Sequence, residues 1–224
     1  MKCLKTNKRT QNFVKVNREF FLPYLFQKQD FTLTPLQVDK HYHIFNRANG
    51  TEKLFLSSDN YNFFLKKYRK HIAPVCDTLC YCLMPNHFHL LVRIRDEKWI
   101  TSLENFNEEK DITAFLSKQF ANLFSSYTKA FNKQVGRKGN LFIRPFKRKP
   151  IEDEGYLRKL IHYIHFNPVE AGLCRMPGDW KYSSYTSLIC EKLTLLHRRE
   201  VLDYFDGVEN FKFVHSHPPE MNGL

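Results

Sequence analysis

The chain has 224 residues, of which 42% are hydrophobic and 15% aromatic, a composition that supports a packed core and excludes a mostly disordered protein. Its 35 Lys and Arg residues exceed its 23 Asp and Glu residues by 12, which favours a polyanionic partner, nucleic acid first. No apolar run approaches the roughly 20 residues that span a bilayer, and the six cysteines form no CxxC pair. We therefore expect a cytoplasmic protein with reduced thiols and no membrane contact.

This length fits one main domain with extensions better than two equal domains. We predict a basic N-terminal extension over residues 1–37, one domain over residues 38–190 and a C-terminal extension over residues 191–224.

The first predicted elements are a strand, a helix and a pair of strands. From His41 the run HYHIFNRANG alternates and then reaches Asn49-Gly50, which predicts a strand and a tight turn. Apolar residues at helical spacing predict a helix over residues 58–71. The run VCDTLCYCLMPNHFHLLVRIR divides at Met84-Pro85-Asn86 and predicts two strands joined by a short turn.

The second half of the domain begins with a polar stretch over residues 96–111, which predicts a surface loop. A long helix pattern follows from Ile112 to about Phe131. Beyond a basic segment, Glu152-Asp153-Glu154 predicts the start of another helix, since acids in the first turn favour the helix dipole, and Pro168 predicts its end.

The basic segment is KQVGRKGNLFIRPFKRK, residues 133–149, with seven positive residues and no acid. Cations for phosphates interleaved with rings for stacking suit a single nucleic-acid strand. The alternative is a basic hairpin that only faces solvent. The residues predicted to contact DNA are Arg137, Lys138, Arg144, Phe146, Lys147, Arg148 and Lys149.

A candidate metal site lies in NHFHLLV. His87 and His89 are two apart on a predicted strand, so both imidazoles leave the same face and could share one metal ion. HYH at residues 41–43 and HSH at residues 215–217 have the same spacing. Context favours the pair at His87, because it alone stands in a strong apolar strand reached through a turn.

A candidate nucleophile lies on the helix that contains YLRKLIHYIHFNP. Tyr163 and Asn167 are four residues apart, so they are neighbours on one flank and could reach one site together. The ordinary interpretation is a half-buried tyrosine and a helix stop before Pro168. Tyr156, two turns earlier on that flank, is an alternative nucleophile.

Four motifs in this order, MPNHFHLLV, GNLFIRPFKRKPIED, YIHFNPVEAGL and DWKYSSY, together resemble the HUH single-tyrosine transposases, especially the relatives associated with repetitive extragenic palindromes. The resemblance covers about residues 38–187, and HYHIFNRANG is similar to the usual first strand of that family. It implies an α+β, ferredoxin-like domain with a central antiparallel sheet and helices on one face.

The same resemblance implies a metal-dependent transposase that cleaves and rejoins hairpin-containing single-stranded DNA through a 5′-phosphotyrosine. Matching positions make His87 and His89 metal ligands, Tyr163 the nucleophile, and Asn167 a third ligand where insertion-sequence relatives carry glutamine. The implied cofactor is Mg²⁺ or Mn²⁺. The implied partner is single-stranded or hairpin DNA, bound by a monomer or a homodimer.

Three alternatives remain open at this stage. One is a rolling-circle type replication initiator nuclease, which shares the two-histidine site. Another is a regulator that binds DNA hairpins without cleaving them, and a third is a metal-dependent phosphodiesterase with no covalent step. No glycine-rich phosphate-binding loop occurs among the eight glycines, so we expect no nucleotide cofactor.

Overall fold

The computed structural model describes residues 34–109 and 111–220, so most of the predicted N-terminal extension lies outside the described residues. Four antiparallel strands form one sheet in the order β2-β3-β1-β4. In the described ranges no helix is both long and apolar enough to cross a membrane. The elements along the chain are β1 (His41–Arg47), α1 (Ser58–His71), β2 (Cys76–Leu83), β3 (His87–Ile94), α2 (Glu97–Thr101), α3 (Ile112–Val135), β4 (Lys147–Ile151), α4 (Glu154–Glu170), α5 (Tyr185–Ile189), α6 (Arg198–Asp203) and α7 (Val208–His215).

The connectivity from β1 to β4, with β1 and β3 at the centre, is that of a ferredoxin-like domain, and the predicted α+β fold class is confirmed. The strand pair divides at the predicted turn and α1 has the predicted bounds. α3 runs past the predicted end at Phe131 to Val135, where Gly136 at φ 68° supplies the left-handed residue that ends it. The predicted surface loop over residues 96–111 contains the short helix α2.

Alternate residues of the central strands enter two different cores. Phe88 packs on Phe64 of α1, with ring centroids 5.4 Å apart, and Phe64 in turn packs on Tyr127 of α3. On the opposite face, Leu91 of β3 belongs to a second core with Leu160 of α4. Burying each such side chain contributes about 1.5–3 kcal/mol, so the sheet is stabilised from both sides.

The second core corrects the expectation that the helices would lie on one face. α1 and α3 cover one face as expected, but α4 covers the other and contacts β2, β3 and β4. The segment predicted as a C-terminal extension also contributes here, through Val201, Phe205 and Phe211. The physical reason is that the apolar stripe of α4 must be buried, and the sheet face opposite α1 offers the apolar surface.

α4 begins where the acidic triplet predicted. Asp153 is the N-cap, and its carboxylate accepts a hydrogen bond of 2.6 Å from the backbone N–H of Tyr156. Pro168 does not end the helix, contrary to the sequence prediction, because it removes only one backbone donor and the helix continues to Glu170. Gly172, at φ 67°, lies just beyond the true end.

Buried histidines attach α7 to α4. Nδ1 of His165 lies 3.1 Å from Nε2 of His215, and Nε2 of His165 lies 2.8 Å from the Ser184 hydroxyl. Ser184 also accepts a hydrogen bond of 2.8 Å from the backbone N–H of Tyr81 on β2. The nucleophile-bearing helix of the sequence prediction is therefore tied to the sheet and to the C-terminal helix by one buried polar chain.

A substitution in α7 tests whether the C-terminal helix stabilises the fold. Phe211 is fully buried, whereas Phe213 on the same helix is 65% exposed. Phe211→Ala should lower the free energy of unfolding by about 3–5 kcal/mol, and Phe213→Ala should change it by less than about 0.5 kcal/mol. Urea unfolding followed by tryptophan fluorescence measures both values. Equal values for the two variants would contradict the second core.

Acid should destabilise the buried histidine chain. Burial holds the pKa of His165 well below its usual range and lowers the pKa of His215 to about 3. Unfolded histidine titrates near about pH 6.5, so below that pH the unfolded state binds more protons and the free energy of unfolding falls, by up to about 1.4 kcal/mol per pH unit for each group. Urea unfolding between about pH 7 and about pH 5 measures this slope.

His215→Gln removes one of these groups and should make the pH slope shallower. His217→Gln, at an exposed position of the same segment, is the matched control. The same slope in both variants would mean that His215 does not stay neutral in the folded protein.

Candidate active site

The two histidines of NHFHLLV lie together at the start of β3. The imidazoles of His87 and His89 have centroids 5.2 Å apart and planes at 87° to each other. Phe88 between them is fully buried on the opposite face, in the core with α1. The strand alternation thus places both rings on one face, as predicted, and α4 covers that face.

Each of the two rings is oriented by a hydrogen bond at its own Nδ1 atom. Nδ1 of His87 lies 2.8 Å from the side-chain oxygen of Asn86, an acceptor, so His87 Nδ1 carries the proton. Nδ1 of His89 lies 2.8 Å from Nε2 of His43. When the Nδ1–H of His89 donates to His43, both Nε2 atoms keep the lone pair that a metal ion requires.

Both imidazoles are neutral near pH 7. Burial lowers the pKa of His87 to about 4, although a hydrogen bond with the Asn167 side chain opposes this shift. Burial, helped by the neighbouring His43 and His87, holds the pKa of His89 well below its usual range. Neutral imidazole is the metal-binding form, so no proton must leave before a metal binds.

His43 is the residue of this site that sequence reasoning missed. It is fully buried, its Nδ1 has no partner within the described residues, and burial together with the charge of Lys149 lowers its pKa to about 3. The alternation in HYH signalled that residues 41 and 43 share a face. It did not show which strand lies beside them. His41 instead faces Glu200, with Nε2 3.5 Å from Oε1.

α4 brings Tyr163 and Asn167 to the histidines. The Tyr163 ring is only 7% exposed, and its centroid lies 5.6 Å from that of His89 in an edge-to-face arrangement. The Asn167 amide donates to the Tyr163 carbonyl oxygen at 2.9 Å, and its side chain also interacts with His87 and with the Tyr163 hydroxyl. Burial raises the pKa of Tyr163, and the Asn167 hydrogen bond only partly offsets this, so the phenol is protonated at neutral pH.

The alternative nucleophile is held elsewhere on the same flank. Lys149 Nζ donates a hydrogen bond of 2.6 Å to the Tyr156 hydroxyl and lies 4.2 Å from the centroid of that ring. Tyr156 thus pairs with a lysine of β4, whereas Tyr163 packs against His89.

The structure separates the residues predicted to bind DNA. Lys147 and Lys149 pair with Phe45 and His43 across β4 and β1, so they share the face of the histidines. Arg148 lies on the opposite face, 3.2 Å from the Ser117 hydroxyl.

The rest of the basic segment is also divided. Arg137 forms an ion pair of 2.7 Å with Glu52 and also bonds to Asn132, so it anchors its own loop. Phe146 is half-buried and stacks on Phe120, with centroids 5.2 Å apart. Lys138 and Arg144 are exposed.

Comparison with known proteins supports the family resemblance. No protein-family model matches the chain. A protein of Haemophilus influenzae named "Putative REP-associated tyrosine transposase" is 28% identical over 129 residues, which cover 54% of this chain and 69% of that protein. A solved structure of a REP-associated tyrosine transposase bound to a REP hairpin has the same fold, with a TM-score of 0.51 and 16% identity over 72% of this chain and 85% of that chain. The sequence relative and the shared fold agree with the four ordered motifs, and this chain is similar to REP-associated tyrosine transposases in sequence over 129 residues and in fold.

Proposed function

We propose that this chain is a metal-dependent DNA transposase that cleaves single-stranded, hairpin-containing DNA and rejoins it through a 5′-phosphotyrosine. The observation that carries the proposal is the convergence of a buried tyrosine, two neutral histidines and an amide in one site. The relatives are named transposases, and one of them was solved with a DNA hairpin, which supports the same substrate class for this chain.

The donor set fits a divalent metal ion. His87 and His89 would each offer Nε2, and Asn167 would offer its amide oxygen. Within residues 34–109 and 111–220 no group of three or more His, Cys, Asp or Glu side chains could hold a metal, so the amide is needed to complete this set. Mg²⁺ or Mn²⁺ would act there as a Lewis acid that neutralises the scissile phosphate, and Mn²⁺ accepts imidazole nitrogen more readily.

Tyr163 supplies the nucleophile. Its hydroxyl oxygen bonds to phosphorus while the bond from phosphorus to the 3′ oxygen breaks. The phenol loses its proton and the departing 3′ oxygen gains one, which leaves a 5′-phosphotyrosine and a free 3′-hydroxyl. Because the phosphoester bond is conserved, a 3′-hydroxyl can later attack the phosphotyrosine and restore a DNA strand without a nucleotide cofactor.

The remaining side chains position these groups. His43 and Asn86 hold the histidine rings by hydrogen bonds to Nδ1. Lys147 and Lys149, at the sheet edge beside the site, would attract the DNA backbone.

A covalent adduct is the decisive readout of this chemistry. Tyr163→Phe should abolish a denaturation-resistant adduct between the protein and labelled hairpin DNA in Mn²⁺ or Mg²⁺, because phenylalanine cannot form the phosphoester. Tyr156→Phe, on the same flank of α4, is the matched control and should retain the adduct. His87→Ala should slow cleavage by about 100-fold or more, because it removes stabilisation of the phosphate charge.

Each contrary result identifies a different function. Loss of the adduct in Tyr156→Phe alone would make Tyr156 the nucleophile. Cleavage by Tyr163→Phe without any adduct would indicate a hydrolytic nuclease. Hairpin binding by the wild type without cleavage in either metal would indicate a regulator that binds and does not cut.

Metal affinity tests the role of His43 separately from activity. His43→Phe keeps a ring on β1 but removes the hydrogen bond to His89, and it should weaken Mn²⁺ binding by about 10- to 100-fold. His41→Phe, on the same strand face but beside Glu200, should leave Mn²⁺ affinity unchanged. Electron paramagnetic resonance of free Mn²⁺ measures both. Equal affinities in the two variants would show that His43 does not orient the ligand.

A further inference from the structure

A cavity of about 650 Å³ lies between α3 and the segment formed by residues 140–146. α3 contributes Lys118, Asn122 and Ser125, which are four and three residues apart and so share one side of the helix. The 140–146 segment contributes Asn140 and Arg144 from the opposite wall. The cavity is separate from the histidine site, because α3 packs on the other face of the sheet.

Three polar side chains of this cavity are available to a ligand. In the described part of the chain, the side chains of Asn122, Asn140 and Arg144 make no hydrogen bond or ion pair with protein. The described residues that line the cavity include Lys118 and Arg144 and no acid. Amide groups without partners, next to cations and away from acids, suit a ligand that carries both hydrogen-bonding edges and negative charge.

The floor of the cavity is aromatic. Phe124 and Phe146 are both half-buried, with centroids 5.4 Å apart, and each leaves part of its ring open to the cavity. Nucleobases of every type stack on such rings, so this contact does not depend on the DNA sequence. Cavities of about 300–1,000 Å³ accommodate small organic ligands, so the volume admits one nucleotide.

The cavity is close along the chain to the candidate active site. Asn46, which lines it, precedes Arg47, and Arg47 pairs with His87 across β1 and β3. β4 is an edge strand, and the 140–146 segment leads into it. A DNA strand that passes Lys147 at this edge can therefore reach both sites.

We propose that this cavity is a base-binding subsite that takes one unpaired nucleobase of the DNA strand. Asn122 and Asn140 contact the hydrogen-bonding edge of the base. The Phe124 and Phe146 rings are tilted by 57° to each other, so one ring stacks on the face of the base and the other meets its rim. Arg144 holds its phosphate. The proposal rests on the proposed function only in taking single-stranded DNA as the substrate, since binding to this cavity requires no cleavage.

Affinity for a labelled hairpin DNA with unpaired flanks tests the subsite, with the full chain in EDTA so that cleavage plays no part. A series of DNAs carries one abasic site at each unpaired position in turn. At the position that enters the cavity, loss of the base should weaken binding by wild type about tenfold or more. Asn122→Ala should bind the intact DNA about 3- to 10-fold more weakly and lose less affinity at that same position.

The salt dependence separates base contacts from phosphate contacts. Arg144→Ala should make the slope of log affinity against log salt shallower by about 0.7, because one phosphate contact is lost. Asn122→Ala should leave the slope unchanged. Arg199→Ala is the matched control, since Arg199 is an exposed arginine on α6, which packs on β2 at the opposite edge of the sheet.

Two results would overturn the subsite. One is an equal loss in wild type and Asn122→Ala at every abasic position. The other is an Arg144→Ala slope no different from that of Arg199→Ala. Because both readouts measure binding in EDTA, the subsite can be confirmed even if Tyr163 forms no adduct, and it can fail even if the adduct forms.

Discussion

The antiparallel pairing of β1 with β3 is the constraint on which the rest of the structure depends. It sets Phe45 opposite His89 and Arg47 opposite His87, which brings His43 diagonally onto His89. A shift of β3 by one residue would turn that strand over, because side chains alternate with a period of two. Phe88 would then leave the core with α1, and two histidines would enter it without partners. The same strand register therefore buries Phe88 and brings the histidines of the site together.

Burial makes the polar groups of this face costly unless they are paired, and most of them are. His89 bonds to His43, while His165 bonds to His215 and Ser184. α4 lies between these two sets of histidines and carries Tyr163 on one side and His165 on the other. The helix is thus fixed by apolar packing against the sheet and by hydrogen bonds at its back. Tyr163, the proposed nucleophile, therefore has its geometry set before substrate arrives, which is what the proposed in-line attack on a phosphate would require.

The fold places the positive residues of the basic segment in three different surroundings. Arg137 stabilises a loop through Glu52, while Lys149 lies beside Tyr156 near the histidines. Arg144 is exposed at the mouth of the cavity under α3. Of these residues, only Lys149 and Arg144 face regions where a DNA strand is proposed to lie. The net charge of +12 still attracts polyanions from a distance, because long-range attraction depends on total charge and not on the role of each residue.

Local chemistry in the sequence determined the elements and the chemical groups. The turn at Met84-Pro85-Asn86, the acidic cap at Asp153 and the alternation around Phe88 are all properties of a few neighbouring residues, and they predicted the strand pair, the start of α4 and the common face of His87 and His89. Pro168 was misleading because one missing donor does not stop a helix that is packed on both sides.

The tertiary structure alone decided which distant residues meet. His43 approaches His89 from 46 residues away, Arg137 reaches Glu52 across 85, and α7 packs on α4 and adds Phe211 to the second core. Such pairs depend on strand register and on which apolar surfaces remain to be buried after the first core has formed. Neither is encoded in the spacing of neighbouring residues, because both are settled by the free energy of packing the whole chain.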